Sequence, residues 1–279
     1  MNAIEISQLR KSYPGFDLGP LDLDLPQGCI MGLIGENGAG KTTTIRLILD
    51  MLQRDGGSIR LLGRGDGEDV MLTREETGVV LDEVGFPECF NTRQVNNVMR
   101  LTYKNWDQAA YREYLRRFDL PEGKQFKDFS RGMKMKLGIA VALSHKPKLL
   151  ILDEPTSGLD PVVRDEVVEL FSEFTRDASH SILISSHIVS DLEKLCDYIA
   201  FLHKGQLLLC EEKDLLLSEY CILRCTAAEL NALPKETVKG RKENPYGVTA
   251  IVRRDAAPAG ANISPISIEE LFVFMVKEA

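Results

Sequence analysis

The chain has 279 residues and a formal net charge of −8, and its composition, 44% hydrophobic and 27% charged, is ordinary for a globular protein. No run of about eighteen apolar residues is present, which predicts that nothing in the chain spans a bilayer, and residues 1–10 lack the apolar core of a signal peptide. The acidic charge disfavours a nucleic-acid partner, because such proteins need a basic face to displace phosphate counterions.

Alternation of apolar and polar residues predicts strands at the start of the chain. Residues 1–10 alternate in this way, and Leu21 to Leu25 alternates leucine with aspartate. Such alternation is typical of an antiparallel strand with one solvated face. We therefore expect a small antiparallel sheet in this part of the chain.

Residues 35–42 follow the phosphate-binding pattern G-x-x-x-x-G-K-[ST], between the apolar run Cys29 to Ile34 and the helical run Thr43 to Leu52. Glycines let the N–H groups of this loop turn inward around phosphate oxygens, and the following helix adds its positive end. Lys41 is expected to reach the β- and γ-phosphates, and Thr42 to ligate Mg²⁺. The alternative, a glycine-rich turn without a ligand, is disfavoured by the strand before it and the helix after it. The predicted nucleotide contacts are Gly35, Glu36, Asn37, Gly38, Ala39, Gly40, Lys41, Thr42 and Thr43.

A mostly helical region is predicted over residues 92–143. Within it, Asp107 to Phe118 has apolar or aromatic residues at positions 110, 111, 114, 115 and 118, a stripe suited to packing one face of a helix. Strands and helices of the nucleotide-binding core are predicted on both sides of this region. We therefore expect a helical subdomain inserted into that core.

Lys148 to Glu154 is an apolar run that ends in two carboxylates, which predicts a buried parallel strand. The carboxyl end of such a strand lies at the edge where α/β sheets bind ligands. Asp153 is expected to hold Mg²⁺, and Glu154, on the other face of the strand, to orient or deprotonate an attacking water. Alone, the pattern fits an ordinary strand-to-turn junction equally well. Together with the phosphate loop it predicts hydrolysis of a magnesium-bound nucleotide.

From Ile4 to about Leu217 the order of these segments resembles the ATP-binding subunits of ABC transporters. The most specific part is Phe129-Ser130-Arg131-Gly132-Met133, followed by a helical run, which matches the signature helix of that family. The usual form is Leu-Ser-Gly-Gly-Gln, and the Ser-Arg-Gly-Met variant resembles an exporter-type branch. The resemblance implies that Ser130 and Gly132 contact the γ-phosphate bound by the opposite subunit. The alternative is that Ser130 only caps the helix, and both roles are compatible at a helix N-terminus.

The same resemblance implies roles for further residues. Thr156 to Asp160 matches the D-loop, which crosses the dimer interface, and Asp160 before a proline also fits a helix cap. His187 follows the apolar strand Ser181 to Ser185 and matches the switch histidine that contacts the γ-phosphate. Tyr13 matches the aromatic residue that stacks on adenine, although a tyrosine before Pro-Gly also suits a turn that packs on its neighbours.

Asp82 departs from the family pattern. Family members usually carry glutamine at this place, after a strand that residues 78–81 provide here. Either Asp82 takes over the metal contact, or the coupling of the site differs. A further alternative is that Asp82 faces solvent at a turn and the strand is shifted, which leaves Glu83 or neither residue at the metal.

Residues 83–91 include Phe86, Pro87 and Phe90, and the resemblance implies a permease contact in this region. We expect these side chains to form an exposed apolar patch for a partner helix. The alternative is that both phenylalanines pack inward.

After about Tyr220 the chain changes character. Cys221 to Arg224 and Gly247 to Arg254 are predicted strands, and Ser267 to Val276 is a predicted helix with Ser267 as its cap. The predicted division is an ATPase domain over residues 1–219, with its helical subdomain at about 92–143, and a small α+β appendage over residues 220–279.

The resulting prediction is an α/β P-loop NTPase of ABC type, with a RecA-like core, an antiparallel β subdomain, a helical signature subdomain and the C-terminal appendage. The resemblance implies a subunit that dimerises head to tail, with itself or a homologous subunit, around two Mg-ATP and powers a separate membrane permease, with export favoured. Its location would be the cytoplasmic face of the membrane. One alternative is a soluble ABC ATPase acting on nucleic acid or the ribosome. Another is a regulatory module that no longer hydrolyses ATP, which the presence of Lys41, Asp153, Glu154 and His187 disfavours.

Overall fold

The computed structural model of the chain describes residues 1–245, 247–258 and 260–278. The strands are β1 (Asn2–Tyr13), β2 (Phe16–Pro26), β3 (Ile30–Ile34), β4 (Gly56–Leu61), β5 (Thr77–Val80), β6 (Leu149–Asp153), β7 (Ser181–Ser186), β8 (Tyr198–His203), β9 (Gln206–Glu212), β10 (Tyr220–Cys225), β11 (Val238–Asn244), β12 (Gly247–Arg253) and β13 (Asn262–Ser264). The α-helices are α1 (Lys41–Ile48), α2 (Val70–Glu75), α3 (Thr92–Thr102), α4 (Gln108–Arg117), α5 (Arg131–Leu143), α6 (Pro161–Phe174), α7 (Val189–Leu195), α8 (Lys213–Glu219), α9 (Ala227–Asn231) and α10 (Ile268–Glu278).

A six-stranded sheet in the order β5-β6-β7-β3-β8-β9 forms the centre of the molecule. Its strands run parallel except β9, which is antiparallel to β8. β3, β6 and β7 are buried along their whole length, which is why their sequences are largely continuous apolar runs. The register pairs Asp153 with Ser185 and Ile34 with Ser186, so these three strands finish at one edge. The predicted α/β fold is confirmed.

A three-stranded antiparallel sheet in the order β2-β1-β4 packs against one side of this central sheet. The leucines of β2 at positions 21, 23 and 25 are buried, whereas Asp22 and Asp24 are exposed. The buried leucines share one core cluster with Met31 of β3 and Ile45 of α1. The alternation of the sequence therefore does set the buried and solvated faces, as predicted.

The helical region is built from α3, α4 and α5. Asp107 caps α4, because its Oδ1 accepts hydrogen bonds from the N–H groups of Ala109 and Ala110, each at 3.0 Å. Tyr111, Leu115 and Phe118 are buried, so the predicted apolar stripe does face the core. Among the helices of the described residues, none is both long and apolar enough to cross a membrane.

The prediction of an exposed apolar patch at residues 83–91 is wrong. The ring of Phe86 packs edge-on against Phe126, with their centroids 5.6 Å apart, and both Phe86 and Phe90 lie partly buried against the main core. Of the three side chains only Pro87 is exposed. Phe126 lies in the short helical turn Phe126–Asp128, so this turn covers part of the Phe86 ring.

The C-terminal region forms a sheet in the order β11-β12-β10-β13. The predicted strands are present, and so is the helix: α10 follows Ser267, whose hydroxyl accepts from the N–H of Glu270 at 3.2 Å. One face of the sheet has its own apolar cluster, which includes Leu223 and Val252.

The other face of this sheet joins the main core. Ile222, Ile251 and Leu271 belong to the same cluster as the central sheet, and Phe272 packs edge-on against Phe201 of β8 at 5.2 Å. Helix α10 also lies against α7. The described residues from 220 onward are thus packed onto the preceding part of the chain rather than separated from it by a linker.

Candidate functional site

The phosphate loop lies between β3 and α1, at the carboxyl edge of the central sheet. Gly38 and Gly40 have φ angles of +82° and +110°, which favour glycine. At Gly40 a Cβ would also meet the Leu18 side chain at 2.7 Å, so the loop passes too close to the antiparallel sheet for any larger residue. Gly40 precedes α1 without a side-chain cap, and the first N–H groups of the helix are therefore available to an anion.

Lys41 lies at the centre of this loop and is buried. Its Nζ donates to the carbonyl oxygens of Gly35 at 2.7 Å and Glu36 at 3.3 Å. The same Nζ is 3.6 Å from Oε1 of Glu154, which follows β6. The loop therefore holds its cation beside the predicted general base.

Asp153 is buried at the end of β6, with 1% of its surface exposed. Its Oδ1 accepts a hydrogen bond from the hydroxyl of Ser185 at 2.5 Å, and that hydroxyl accepts from the N–H of Glu154 at 3.1 Å. Among the described residues, no lysine or arginine forms an ion pair with Asp153. A buried carboxylate with no cation beside it is costly unless a positive ligand reaches it.

Glu154 has a φ angle of +53°, which is uncommon for a residue with a side chain. This turn brings its carboxylate between Lys41 and His187. Oε2 of Glu154 is 2.7 Å from Nδ1 of His187 and accepts a second contact from the backbone N–H of His187 at 3.3 Å. The structure thus brings together three residues that the sequence placed after three different strands.

Tyr13 ends β1, and its register partner across the hairpin is Phe16. The Phe16 ring lies 3.2 Å from the Cβ position of Gly40, which places this hairpin beside the phosphate loop. Tyr13 is 38% exposed as a residue, and Nζ of Lys11 lies 5.6 Å from the centroid of its ring. An exposed ring at this place suits a flat base, and the adenine contact stays a prediction.

The signature residues lie at the exposed start of α5. Ser130 caps this helix, since its Oγ accepts from the N–H of Met133 at 3.2 Å, and Asp160 caps α6 by accepting from the N–H of Val163 at 3.1 Å. A Cβ at Gly132 would lie 3.4 Å from Cδ2 of Leu159. The capping roles are therefore present, and the contacts of these residues with a nucleotide on another subunit stay predictions.

Asp82 lies two residues beyond β5 with its side chain 44% exposed, and its Oδ1 is 2.5 Å from Nη2 of Arg131. Its carboxylate is thus engaged by the signature helix. Among the described residues, no group of three or more histidine, cysteine or acidic side chains could hold a metal ion. The metal contact of Asp82 stays a prediction, and the ion pair is a competing use of the same carboxylate.

Sequence reasoning missed Ser185 and Gly205. Ser185 joins Asp153 to Glu154, and the backbone N–H of Gly205 donates to the Ala39 carbonyl at 2.9 Å and so supports the phosphate loop. The two serines that close the apolar strand β7 were the available signal for Ser185. His203 is buried, with Nδ1 3.4 Å from Oε2 of Glu36, so it too lies against the loop.

Comparison with known proteins shows which protein family the chain matches. The profile of the family described as "ABC transporter" matches residues 18–157. Over 286 residues the chain is 29% identical to the "ABC transporter ATP-binding protein YtrB" of Bacillus subtilis, a match that covers 97% of both chains. Over 212 residues it is 38% identical to the "Bacitracin transport ATP-binding protein BcrA" of Bacillus licheniformis, which covers 74% of this chain and 68% of that one. A solved structure of an ATP-binding subunit of an ABC transporter superposes with a TM-score of 0.69 at 28% identity, over 76% of this chain and 90% of that chain.

Proposed function

We propose that two copies of this chain enclose two Mg-ATP molecules head to tail and drive a separate membrane permease. The premise is that the chain belongs to the ABC transporter family and is one of its ATP-hydrolysing subunits. Export is the proposed direction, because the Ser-Arg-Gly-Met signature resembles the exporter-type branch. Through the permease the subunit would be held at the cytoplasmic face of the membrane. The observation that supports the proposal most directly is the contact of Glu154 with both Lys41 and His187.

The residues present fit a magnesium ion. Asp153 is a buried carboxylate without a cation partner in the described chain, and it has a hydroxyl that orients it. The hydroxyl of Thr42 makes no hydrogen bond within the described residues, in contrast to that of Thr44, which donates to the Gly40 carbonyl at 3.0 Å. Mg²⁺ is commonly held by one or two protein oxygens together with phosphates and water. Asp153 and Thr42 would hold it, and the ion would neutralise phosphate charge.

In the proposed reaction Glu154 orients or deprotonates the attacking water. Its carboxylate is fixed by His187 at 2.7 Å, which keeps one oxygen directed and leaves the other to the site. Lys41 exchanges the carbonyl oxygens of Gly35 and Glu36 for phosphate oxygens, which compensate its buried charge. His187 is half-exposed at the edge of the sheet, and with Nδ1–H given to Glu154 it would donate to the γ-phosphate from Nε2 in the form that carries both ring N–H groups.

The nucleotide would be completed by the other copy. Ser130 and Asp160 are exposed at helix starts, where N–H groups and the positive end of a helix suit an anion. Ser130 and Gly132 would contact the γ-phosphate across the interface, and Asp160 would lie beside it. Binding by both copies makes dimerisation dependent on ATP.

Turnover of Mg-ATP by the purified full chain tests this proposal. Lys41→Ala should abolish it, because the loop loses the cation that neutralises the phosphates, whereas Lys104→Ala, which removes an exposed lysine, should not. A wild-type rate in Lys41→Ala would remove the phosphate loop from the reaction.

The permease is proposed to dock elsewhere than residues 83–91. A groove of about 340 Å³ lies between α2 and the antiparallel sheet, and its lining includes the exposed side chains of Met51, Val70 and Val79. It also includes Arg64, whose Nη1 is buried without a hydrogen-bond partner. A permease helix that enters this groove with its carboxyl end would bring apolar area to the side chains and a carbonyl acceptor to Arg64.

Copurification of the full chain with its permease tests this docking. Val79→Glu should release the membrane protein and leave the ATPase rate of the purified chain near that of wild type, since the groove lies outside the nucleotide site. Ile263→Glu is the matched control, because Ile263 is equally exposed on β13. Release by both variants, or by neither, would place the permease elsewhere.

Copurification also separates this function from the rival in which the ATPase acts on nucleic acid or the ribosome. A net charge of −8 and a single set of nucleotide motifs favour transport. We expect an integral membrane protein in the purified complex. Ribosomal RNA or DNA that leaves the complex only after nuclease treatment would favour the rival.

The division of the chain at residues 219 and 220 is proposed as a functional boundary. The appendage would brace the ATPase domain, because α10 lies on α7, which begins two residues after His187. The match to YtrB covers 97% of this chain and so reaches into the appendage.

A further inference from the structure

Arg131 and Asp82 are two positions at which the chain departs from the usual family pattern, and the structure brings them into contact. Nη2 of Arg131 lies 2.5 Å from Oδ1 of Asp82, although the residues are 49 positions apart. Asp82 lies in the loop after β5, and Arg131 is the first residue of α5. The pair therefore joins that loop to the signature helix.

Arg131 also reaches the turn after β6. Its Nη2 donates to Oγ of Ser157 at 3.3 Å, and its Cδ lies 3.3 Å from the Cβ position of Gly158. Gly158 has a φ angle of +76°, and a side chain there would press on the stem of the arginine. Gly132 lies against the same turn, 3.5 Å from the carbonyl oxygen of Gly158 when measured from its Cβ position. The guanidinium thus links α5 to two other segments, the loop after β5 and the turn after β6.

The solvent exposure of the Arg131–Asp82 ion pair indicates its role. The side chains of Arg131 and Asp82 are 58% and 44% exposed, and exposed ion pairs contribute little to the stability of a fold. A groove of about 520 Å³, lined also by Glu83 and Lys134, opens beside the pair. The consequence of the pair is therefore the position of the helix start rather than the stability of the protein.

We propose that Arg131 is a positioning residue for ATP hydrolysis. Asp82 and Ser157 hold its guanidinium, and the guanidinium fixes the start of α5, with Ser130 and Gly132, relative to the loop after β5 and the turn after β6. The inference rests on the proposed function, in which that helix start meets the γ-phosphate of the other copy. Asp82 acts here as the partner of the arginine, not as a ligand of the metal.

Arg131→Ala, Asp82→Asn and the double variant test the pair in the full chain. Each single change should lower kcat about tenfold, because misplacement of a group in the site by a fraction of an ångström is costly. The KM for ATP should stay within about twofold, since the phosphate loop is untouched. The double variant should be no slower than either single one, as expected for residues that act together.

Conservative variants and a control complete the test. Arg131→Lys and Asp82→Glu keep the charges and should retain part of the rate, and all variants should unfold at the wild-type temperature. Arg93→Ala is the matched control: Nε of Arg93 forms an exposed ion pair with Oε2 of Glu122 at 2.8 Å, and neither residue belongs to α5. Its kcat should equal that of wild type.

Magnesium titration separates the pair from the metal contact. If Asp82 ligates Mg²⁺, Asp82→Asn raises the Mg²⁺ concentration for half-maximal rate and Arg131→Ala does not; this result overturns the inference. Losses that multiply in the double variant also overturn it. A fully active Arg131→Ala beside an inactive Glu154→Gln rejects the positioning role alone, whereas a fully active Glu154→Gln rejects the proposed function.

Discussion

The phosphate-loop half of the site lies on a buried parallel sheet, whereas the signature half lies at an exposed helix start. Lys41 and Asp153 are buried and make their contacts within the subunit, with the Gly35 carbonyl and the Ser185 hydroxyl. Ser130 and Arg131, at the start of α5, are exposed, and a groove opens beside Arg131.

This difference follows from how the two halves are supported. Strand register and core packing hold the first half in place before any ligand arrives. At the second half Phe129 and Met133 pack on the core, and the residues between them are held by caps and an exposed ion pair, contacts that are individually weak. Variants of the first half should therefore change the chemical step within a subunit, and variants of the second half should change the dimerisation of two subunits.

The largest effect is expected at Glu154. Glu154→Gln keeps the size of the side chain but removes the general base, so turnover should fall by roughly a hundredfold or more while ATP still binds. ATP should then accumulate a stable dimer, measured by light scattering. Glu169→Gln, an exposed acid on α6, serves as the control. A Glu154→Gln variant that hydrolyses ATP at the wild-type rate would break the assignment of chemistry to the buried half.

Gly132→Asp should act on dimerisation instead. A carboxylate about 4 Å from a phosphate oxygen at intermediate dielectric is repelled by about 4 kcal/mol. In the Glu154→Gln background this variant should bind ATP as a monomer and fail to dimerise. Gly132→Ala separates charge from size, because its Cβ would make an ordinary contact at 3.4 Å with Leu159. Normal ATP-driven dimerisation of Gly132→Asp would contradict a composite site.

A smaller effect is expected at Ser185. Ser185→Ala leaves the buried Asp153 carboxylate without its hydroxyl donor, whereas the Glu154 N–H keeps the Ser185 carbonyl as an acceptor at 3.1 Å. Because Asp153 loses the group that orients it, the rate should fall about tenfold. Ser181→Ala is matched to it: the Ser181 hydroxyl is also buried in β7, at the opposite end, and accepts from the N–H of Gly28 at 2.9 Å. Both variants should lose about 1–3 kcal/mol of stability. Only Ser185→Ala should lose activity, and equal rates would show that Ser185 is merely structural.

The same contrast explains how much the sequence predicted. The phosphate loop and the run ending at Asp153 are local patterns whose flanking strand and helix are readable from neighbouring residues, and both lie where the sequence placed them. Ser185 was missed because its role depends on the register of β6 with β7, across 32 residues. The partner of Asp82 was missed for a similar reason, since any of many exposed cations could have met that carboxylate.

The error at Phe86 and Phe90 has the same origin. An apolar side chain in a loop packs inward or faces a partner according to what covers it. Phe86 is covered by Phe126, which is remote in sequence, and Phe90 packs on the main core. The orientation of α10 was likewise unreadable, because the apolar faces of the C-terminal sheet did not reveal that one of them joins the main core.

The smallest effect is expected from loss of a single cap. Ser130→Ala and Asp107→Ala each remove the acceptor at the start of a helix in the helical region, and each should cost about 1 kcal/mol of stability. If Ser130 also contacts the γ-phosphate, only Ser130→Ala should weaken ATP-driven dimerisation in the Glu154→Gln background. Equal dimerisation by both variants would reduce Ser130 to a cap.

Low pH should distinguish the Asp107 cap from the Ser130 cap. Hydrogen bonds from the N–H of Ala110 and from Lys146 hold the pKa of Asp107 below its ordinary value. The stability that Asp107 contributes is therefore complete above about pH 4, the unfolded value, and is lost as the pH falls through the lowered folded-state pKa. The difference in melting temperature between wild type and Asp107→Ala should shrink in acid, whereas that of Ser130→Ala should not, because a hydroxyl does not titrate there. If the difference in melting temperature between wild type and Asp107→Ala were unchanged at about pH 2, the Asp107 carboxylate would not be the group that stabilises α4.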